Sequence, residues 1–255
     1  MVDTWSPARY LQFGDERTRP ARDLLAHVPL RHARQVVDVG CGPANSTALL
    51  AERFPDARIV GLDSSPAMLA EARRALPSAA FVEGDASVWL PGPEIDLVFA
   101  NAVYQWIPGH LALFPRLVAA LELGGVLAVQ MPDNVAEPTH RLMSEVAATS
   151  RFADTLAHAA WAPLPEARAY VEALAPVSSS VDIWVTVYHH RLSGPDAIVD
   201  WVRGTGLRPF VDALEADERD EFLTEYRRRV TETYAPLADG QVLLRYPRLF
   251  MVVQR

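Results

Sequence analysis

Gln35-Val36-Val37-Asp38-Val39-Gly40-Cys41-Gly42-Pro43-Ala44-Asn45-Ser46, running on into Thr47-Ala48-Leu49-Leu50-Ala51-Glu52-Arg53, decides how this chain folds. A short apolar run ends in a glycine-bearing turn, and a helical pattern opens at once, with Asn45 or Ser46 expected as its cap. Gly40 and Gly42 leave room for a ligand against bare backbone, and the new helix turns unpaired N–H groups toward it. An open parallel sheet makes a nucleotide site in this way, at the carboxyl end of a strand. Asp38 stands two residues before the first glycine, and Asn45 occupies the place where a dinucleotide fingerprint wants its third. An acid there repels a pyrophosphate and attracts an ammonium group.

Outward from this stretch the chain alternates strand and helix. Arg58-Ile59-Val60-Gly61-Leu62 predicts a second strand ending at Asp63, and Ser64-Ser65-Pro66 then caps a helix with Met68, Leu69 and Ala72 on one side. Ala80-Phe81-Val82 runs into Glu83-Gly84-Asp85. Ile95 to Ala100 ends at Asn101, and Gly125 to Met131 forms a fifth strand. Helical stretches such as His110 to Leu121 make the connections crossovers and the sheet parallel. Polar residues fall at the strands' C-terminal ends, on the edge where such a sheet gathers ligands.

The flanks read differently. Residues 1–30 predict an arm and a helix, with Trp5, Tyr10 and Phe13 as anchors and Pro20 near the helix start. This arm is either a staple or a lid that brings Arg17 to a ligand. Past Pro132, helices are expected over Pro138 to Ala148 and Pro165 to Leu174, with a strand over Val181 to His189 that puts Trp184, Thr186 and Tyr188 on one face. Two more helices follow, from Gly194-Pro195 to Gly204 and from Asp217 to Tyr234. A closing strand over Arg248 to Val253 is expected to begin pairing only after Pro247. No linker or repeat divides the chain. It reads as one domain, with an arm (1–30), a cofactor-binding core (31–135) and late strands with a helical cap (136–255).

Composition narrows the partners. The 255 residues are half hydrophobic and carry a net charge of −8, which argues against a nucleic-acid partner. No apolar run is long enough for a bilayer, the first residues lack a signal-peptide pattern, and one cysteine fits a reducing compartment. The cytoplasm is the expected location. Every basic residue is arginine, a side chain suited to carboxylates. Cys41 reads as a packing residue, and His189-His190 lacks a third ligand, so no metal is expected.

The segments Asp38-Val39-Gly40-Cys41-Gly42-Pro43, Asp63 and Asp85 resemble those of the class I S-adenosylmethionine-dependent methyltransferases. That resemblance implies an α/β, Rossmann-like, doubly wound seven-stranded sheet, mostly parallel with its last strand antiparallel. It implies S-adenosylmethionine as cofactor, Asp63 on the ribose and Asp85 with Ala86 on the adenine edge. It also implies Asp38 and the Gly40 turn on the methionine ammonium and Met68 over the nucleoside. Cys41, Gly42, Asn45, Ser64 and Asn101 complete the expected cofactor set. The family's usual third turn glycine is Ala44 here, which suits the turn if Ala44 keeps a negative φ.

Trp5-Ser6-Pro7, Phe99-Ala100-Asn101-Ala102 with Gln105-Trp106, Leu127 to Asn134, Thr205 to Pro209 and Pro247 to Phe250 bring the chain closer to one branch of that family. Its members esterify a carboxylate of trans-aconitate. The implied partner is a small polycarboxylate gripped by Arg17, Arg208 and Arg248, with Tyr10, Gln105, Trp106, Gln130 and Tyr188 orienting it. No general base is expected, because a carboxylate is already ionised at neutral pH. Another small acceptor, whether acid, phenol or amine, and a dinucleotide-dependent oxidoreductase stand as alternatives.

Overall fold

The computed structural model describes residues 14–255, without the side chains of Asp15 and Arg17. The element order is α1 (Gly14–Ala26), β1 (Gln35–Val39), α2 (Asn45–Arg53), β2 (Arg58–Asp63), α3 (Pro66–Ala75), β3 (Ala80–Glu83) and β4 (Leu97–Asn101). A short 3₁₀ turn (Tyr104–Trp106) precedes α4 (His110–Ala120) and β5 (Val126–Pro132). Then come α5 (Pro138–Ala147), α6 (Ala167–Leu174), β6 (Ser180–Leu192), α7 (Pro195–Arg203), α8 (Arg208–Val211), α9 (Ala216–Thr233) and β7 (Val242–Gln254).

The seven strands form one sheet in the order β3-β2-β1-β4-β5-β7-β6, with β7 antiparallel. β1 pairs in parallel with β2 on one side and with β4 on the other. Strand order therefore reverses between β1 and β4, and a crevice opens outside their carboxyl ends at that reversal. Val36, Val39, Leu97, Val98, Phe99, Ala100 and Val126 to Val129 are almost fully buried, as strands covered on both faces require.

The chain gathers into two compact units. The first holds the residues up to Pro132, Pro165–Thr186 and Leu249–Arg255; the second holds Asp133–Leu164 and Val187–Arg248. In the second unit α9 packs on α5 and α7. The spacing predicts a stripe of Phe222, Tyr226, Val230 and Tyr234; the first three are buried, Tyr234 is the half-buried residue that ends the helix, and Phe222 meets Phe152 edge-on at 5.5 Å.

Three expectations about proline and turn geometry are corrected. Pro20 does not open α1; the helix includes Gly14 and carries Pro20 inside. The Pro20 ring is buried beside Ala21, Leu24 and Leu25, which offsets the hydrogen bond it cannot donate to the Glu16 carbonyl. Likewise Pro247 does not delay β7, which starts five residues earlier at Val242. The Pro247 carbonyl accepts from Asp133 N at 3.0 Å, just past the end of β5. Carbonyl and N–H of one antiparallel residue point the same way, so the donor Pro247 lacks would face the end of a partner strand.

Ala44, finally, takes a φ of +76° rather than a negative one. A left-handed alanine costs about 1–2 kcal/mol. Its methyl is buried with Cys41, Leu69, Ala72 and Phe81, and burying one such carbon returns about 0.8 kcal/mol. Trp5, Tyr10 and Phe13 lie outside the described residues.

Candidate cofactor site and acceptor residues

The carboxyl ends of β1, β2, β3 and β4 surround a cavity of about 210 Å³. The β1–α2 turn contributes Gly40 and Gly42; β2 ends in Leu62, Asp63 and Ser64, followed by Met68 from α3. Gly84, Asp85 and Ala86 follow β3, and Asn101, Ala102, Val103, Trp106 and Ile107 follow β4. Eight of the eleven expected cofactor residues therefore line it: Gly40, Gly42, Asp63, Ser64, Met68, Asp85, Ala86 and Asn101.

The turn is held from below by its neighbour strand. Gly40 N and Cys41 N both donate to Leu62 O, at 2.6 and 3.0 Å. Asp63 accepts from Gly42 N at 2.9 Å on one oxygen and from Ser65 N at 2.9 Å on the other. Ser65 caps α3 as expected, its hydroxyl accepting from Met68 N at 3.2 Å, with Pro66 at the first turn. Asp85 accepts from Ser87 N at 2.8 Å, and hydrogen bonds from the Ser87 hydroxyl and backbone hold its carboxyl below the usual range. Two carboxylates thus lie at the rim, fixed by backbone donors and still able to accept more.

The two glycines do different work. A Cβ on Gly40 would fall 2.2 Å from Val103 Cγ2, so the missing side chain makes room for the loop after β4. A Cβ on Gly42 would meet nothing within 4 Å, and this residue leaves the open space.

With this geometry in view, the comparisons are specific. The family described as "Methyltransferase domain" matches residues 36–125, the run from β1 to the threshold of β5. A trans-aconitate 2-methyltransferase from Afipia carboxidovorans is 54% identical over 98% of this chain and 99% of its own. One from Variovorax paradoxus is 53% identical over 100% and 99%.

The chain belongs to the trans-aconitate 2-methyltransferase family.

Among solved structures, the YcgJ protein of Bacillus subtilis shares the fold with a TM-score of 0.60 at 12% identity, covering 93% of this chain and 98% of that one. Phosphoethanolamine N-methyltransferase 2 of Haemonchus contortus, solved with S-adenosylhomocysteine, gives 0.58 at 15%, covering 99% and 57%.

In this methyltransferase three expected cofactor residues lie off the cavity lining. Cys41 is buried in the apolar cluster with Ala44, Leu69, Ala72 and Phe81, and burial pushes its thiol far from ionisation, so it packs. Asn45 is the first residue of α2 rather than its cap, and its amide donates to Thr18 Oγ1 of α1 at 3.3 Å. Asp38 is fully buried beneath the turn. Its Oδ2 accepts from Ser46 Oγ at 2.8 Å and Thr47 Oγ1 at 2.7 Å, tying α2 to β1, while its Oδ1 has no hydrogen-bond partner among the described residues. The sequence places these three beside the turn but cannot tell which way each side chain points. Leu62, Gly84, Ala102, Val103 and Ile107 line the cavity without having been expected; being small or apolar, they carry no chemical signal.

Burial raises the Asp38 carboxyl to about 7, against the two hydroxyl bonds that lower it, and Asp63 adds to the rise. Below about pH 4 this carboxyl is protonated folded or unfolded. Between about 4 and 7 only the unfolded chain gives up the proton, so stability is lost as pH rises through 7. Asp38→Asn removes that loss. Urea denaturation across pH 4–8 should show the wild type losing on the order of 4 kcal/mol relative to the variant; parallel curves would refute the assignment.

The residues expected to hold or orient the acceptor fall as follows. Trp106 lines the cavity. Gln105, one residue before it, has both amide atoms buried without hydrogen-bond partners among the described residues. Gln130 is fully buried and lies in register beside Asn101; its carbonyl accepts from Ala102 N at 2.8 Å. Tyr188, in the second unit, is buried and stacked on His190 with ring centroids 6.1 Å apart. There too Arg248 is 3% exposed, its guanidinium 4.9 Å from the Tyr246 ring centroid. Arg208 opens α8 in the same unit, with Nε 3.4 Å from Asp212. The side chain of Arg17 and all of Tyr10 lie outside the described residues. Among the described residues no group of His, Cys, Asp and Glu could hold a metal, and no helix is long and apolar enough to cross a membrane.

Proposed function

We propose that this chain transfers the methyl group of S-adenosylmethionine to a carboxylate of trans-aconitate, giving a monomethyl ester and S-adenosylhomocysteine. The carrying observation is identity of 54% to a trans-aconitate 2-methyltransferase over 98% of the chain, so that it spans the acceptor residues of the second unit as well as the cofactor turn.

The cavity suits the cofactor. Open space over Gly42 and carboxylates at two neighbouring strand ends match a zwitterionic nucleoside with two ribose hydroxyls and an exocyclic amine. Asp63 would take the hydroxyls, Asp85 and Ala86 the adenine edge, and Met68 the nucleoside face. When bound, the cofactor supplies an electrophilic methyl group on a positively charged sulfur.

The protein's share is alignment and exclusion of water. A carboxylate of ordinary pKa is ionised at neutral pH and needs no base. Holding two reactants in line supplies about 7–11 kcal/mol. Arg208 and Arg248 would neutralise the acceptor's other carboxylates, since a polyanion does not leave water without cationic partners.

The test is incubation with labelled methyl donor and a panel of di- and tricarboxylic acids, phenols and amines. Trans-aconitate should be the preferred acceptor, and preference for a phenol or amine overturns the reading. In the same assay Arg208→Ala and Arg248→Gln should raise the acceptor KM by at least about tenfold, as expected for a lost charge-assisted bond. Affinity for S-adenosylhomocysteine should change less than about twofold. Equal losses in both would remove the arginines from the acceptor site.

A further inference from the structure

Four buried polar atoms without hydrogen-bond partners among the described residues sit on three residues at and just past the end of β4: Asn101 Oδ1, Tyr104 OH, and Gln105 Nε2 and Oε1. Such groups are rare in folded proteins, and each costs about 1–3 kcal/mol. The same segment carries Ala102 at φ +61°, a strained backbone for alanine. Asn101, Val103, Trp106 and Ile107 from this segment line the cavity. An apolar side chain at position 105 would make a more stable protein, so the free protein carries a cost that a bound ligand can return.

The reaction says which ligand. As a carboxylate oxygen bonds to the methyl carbon, the carbon–sulfur bond breaks and its electron pair stays on sulfur; no proton moves. One negative and one positive charge vanish together, so the transition state is less charged than the reactants. A guanidinium on the attacking oxygen would therefore stabilise the reactants more than the transition state and slow the step. A neutral amide binds the same carboxylate with a smaller penalty.

We propose that the buried Gln105 amide on the turn beside the cofactor cavity holds the acceptor's reacting carboxylate. This rests on the carboxylate-methylation reading. Only the Nε2 end donates to a carboxylate, and the amide can turn that end to the ligand because neither of its atoms is bonded to another of the described residues.

Gln105→Leu tests it. Removal of an unsatisfied amide should raise Tm, whereas removal of a structural glutamine lowers it. The acceptor kcat/KM should fall about thirtyfold or more, and S-adenosylhomocysteine affinity should stay within about twofold. Gln105→Glu, which sets a carboxylate against a carboxylate, should lose more activity than Gln105→Leu at equal cofactor affinity. A leucine variant with unchanged acceptor kinetics overturns the assignment, and so does one that loses Tm and cofactor affinity together. Wild type that methylates no acid in the panel fails the underlying reading and this assignment with it. Wild type that works no better than Gln105→Leu fails the assignment alone.

Discussion

Gly40→Ala is expected to lose about 2–5 kcal/mol of stability, while Gly42→Ala loses about 1 kcal/mol and sacrifices cofactor binding instead. Both residues have positive φ, +65° and +54°, so both variants carry the left-handed penalty. They differ in what a methyl group would strike. At Gly40 it would land within 2.9 Å of both Val103 methyls, in a loop already pinned by the strained Ala102. At Gly42 it would enter open space on the cavity side, where the proposed ligand lies. Urea denaturation and calorimetric titration with S-adenosylhomocysteine separate the two. A second change, Val103→Ala, should return the steric part of the Gly40→Ala loss and leave the backbone part, a coupling a double-mutant cycle reads directly. Equal destabilisation at 40 and 42 would mean the Val103 contact does not matter.

Asp63→Asn should weaken S-adenosylhomocysteine about a hundredfold, the largest effect expected from a single polar substitution in the cavity. The carboxylate accepts Gly42 N on one oxygen and Ser65 N on the other, joining the cofactor turn to the cap of α3. An asparagine has one acceptor end, so one of those N–H groups must face an amide N–H. Charge-assisted bonds of this kind contribute about 1.5–3 kcal/mol each, and the ribose hydroxyls would lose the same partner. Asp85→Asn is the comparison. That side chain is exposed and accepts from the neighbouring Ser87 N–H, so a much smaller loss is expected. Wild-type affinity in Asp63→Asn would remove Asp63 from the site.

Much of this was legible in the sequence where apolar runs stop at a polar residue. Asp63, Asp85 and Asn101 each close a strand or follow it at once, and the alternation of strand and helix puts all three on one edge. Direction was not legible. Asp38, Cys41 and Asn45 belong to the same turn as Gly40 and Gly42, yet one ties down α2, one packs and one reaches α1. Nor could spacing reveal Val103, whose role is to fill the space that a bare glycine leaves. Pro20 and Pro247 misplaced two element boundaries because their cost depends on tertiary surroundings that local rules omit.

The sheet order has a consequence for how the protein is made. β7 follows every other strand in the chain but lies between β5 and β6. While a ribosome is still extending the chain, β5 presents an open hydrogen-bonding edge, and β6 waits with no neighbour, until Val242–Gln254 emerges to slot between them. Chaperone dependence during translation, and aggregation of nascent chains stalled before residue 242, are therefore where this topology is most exposed.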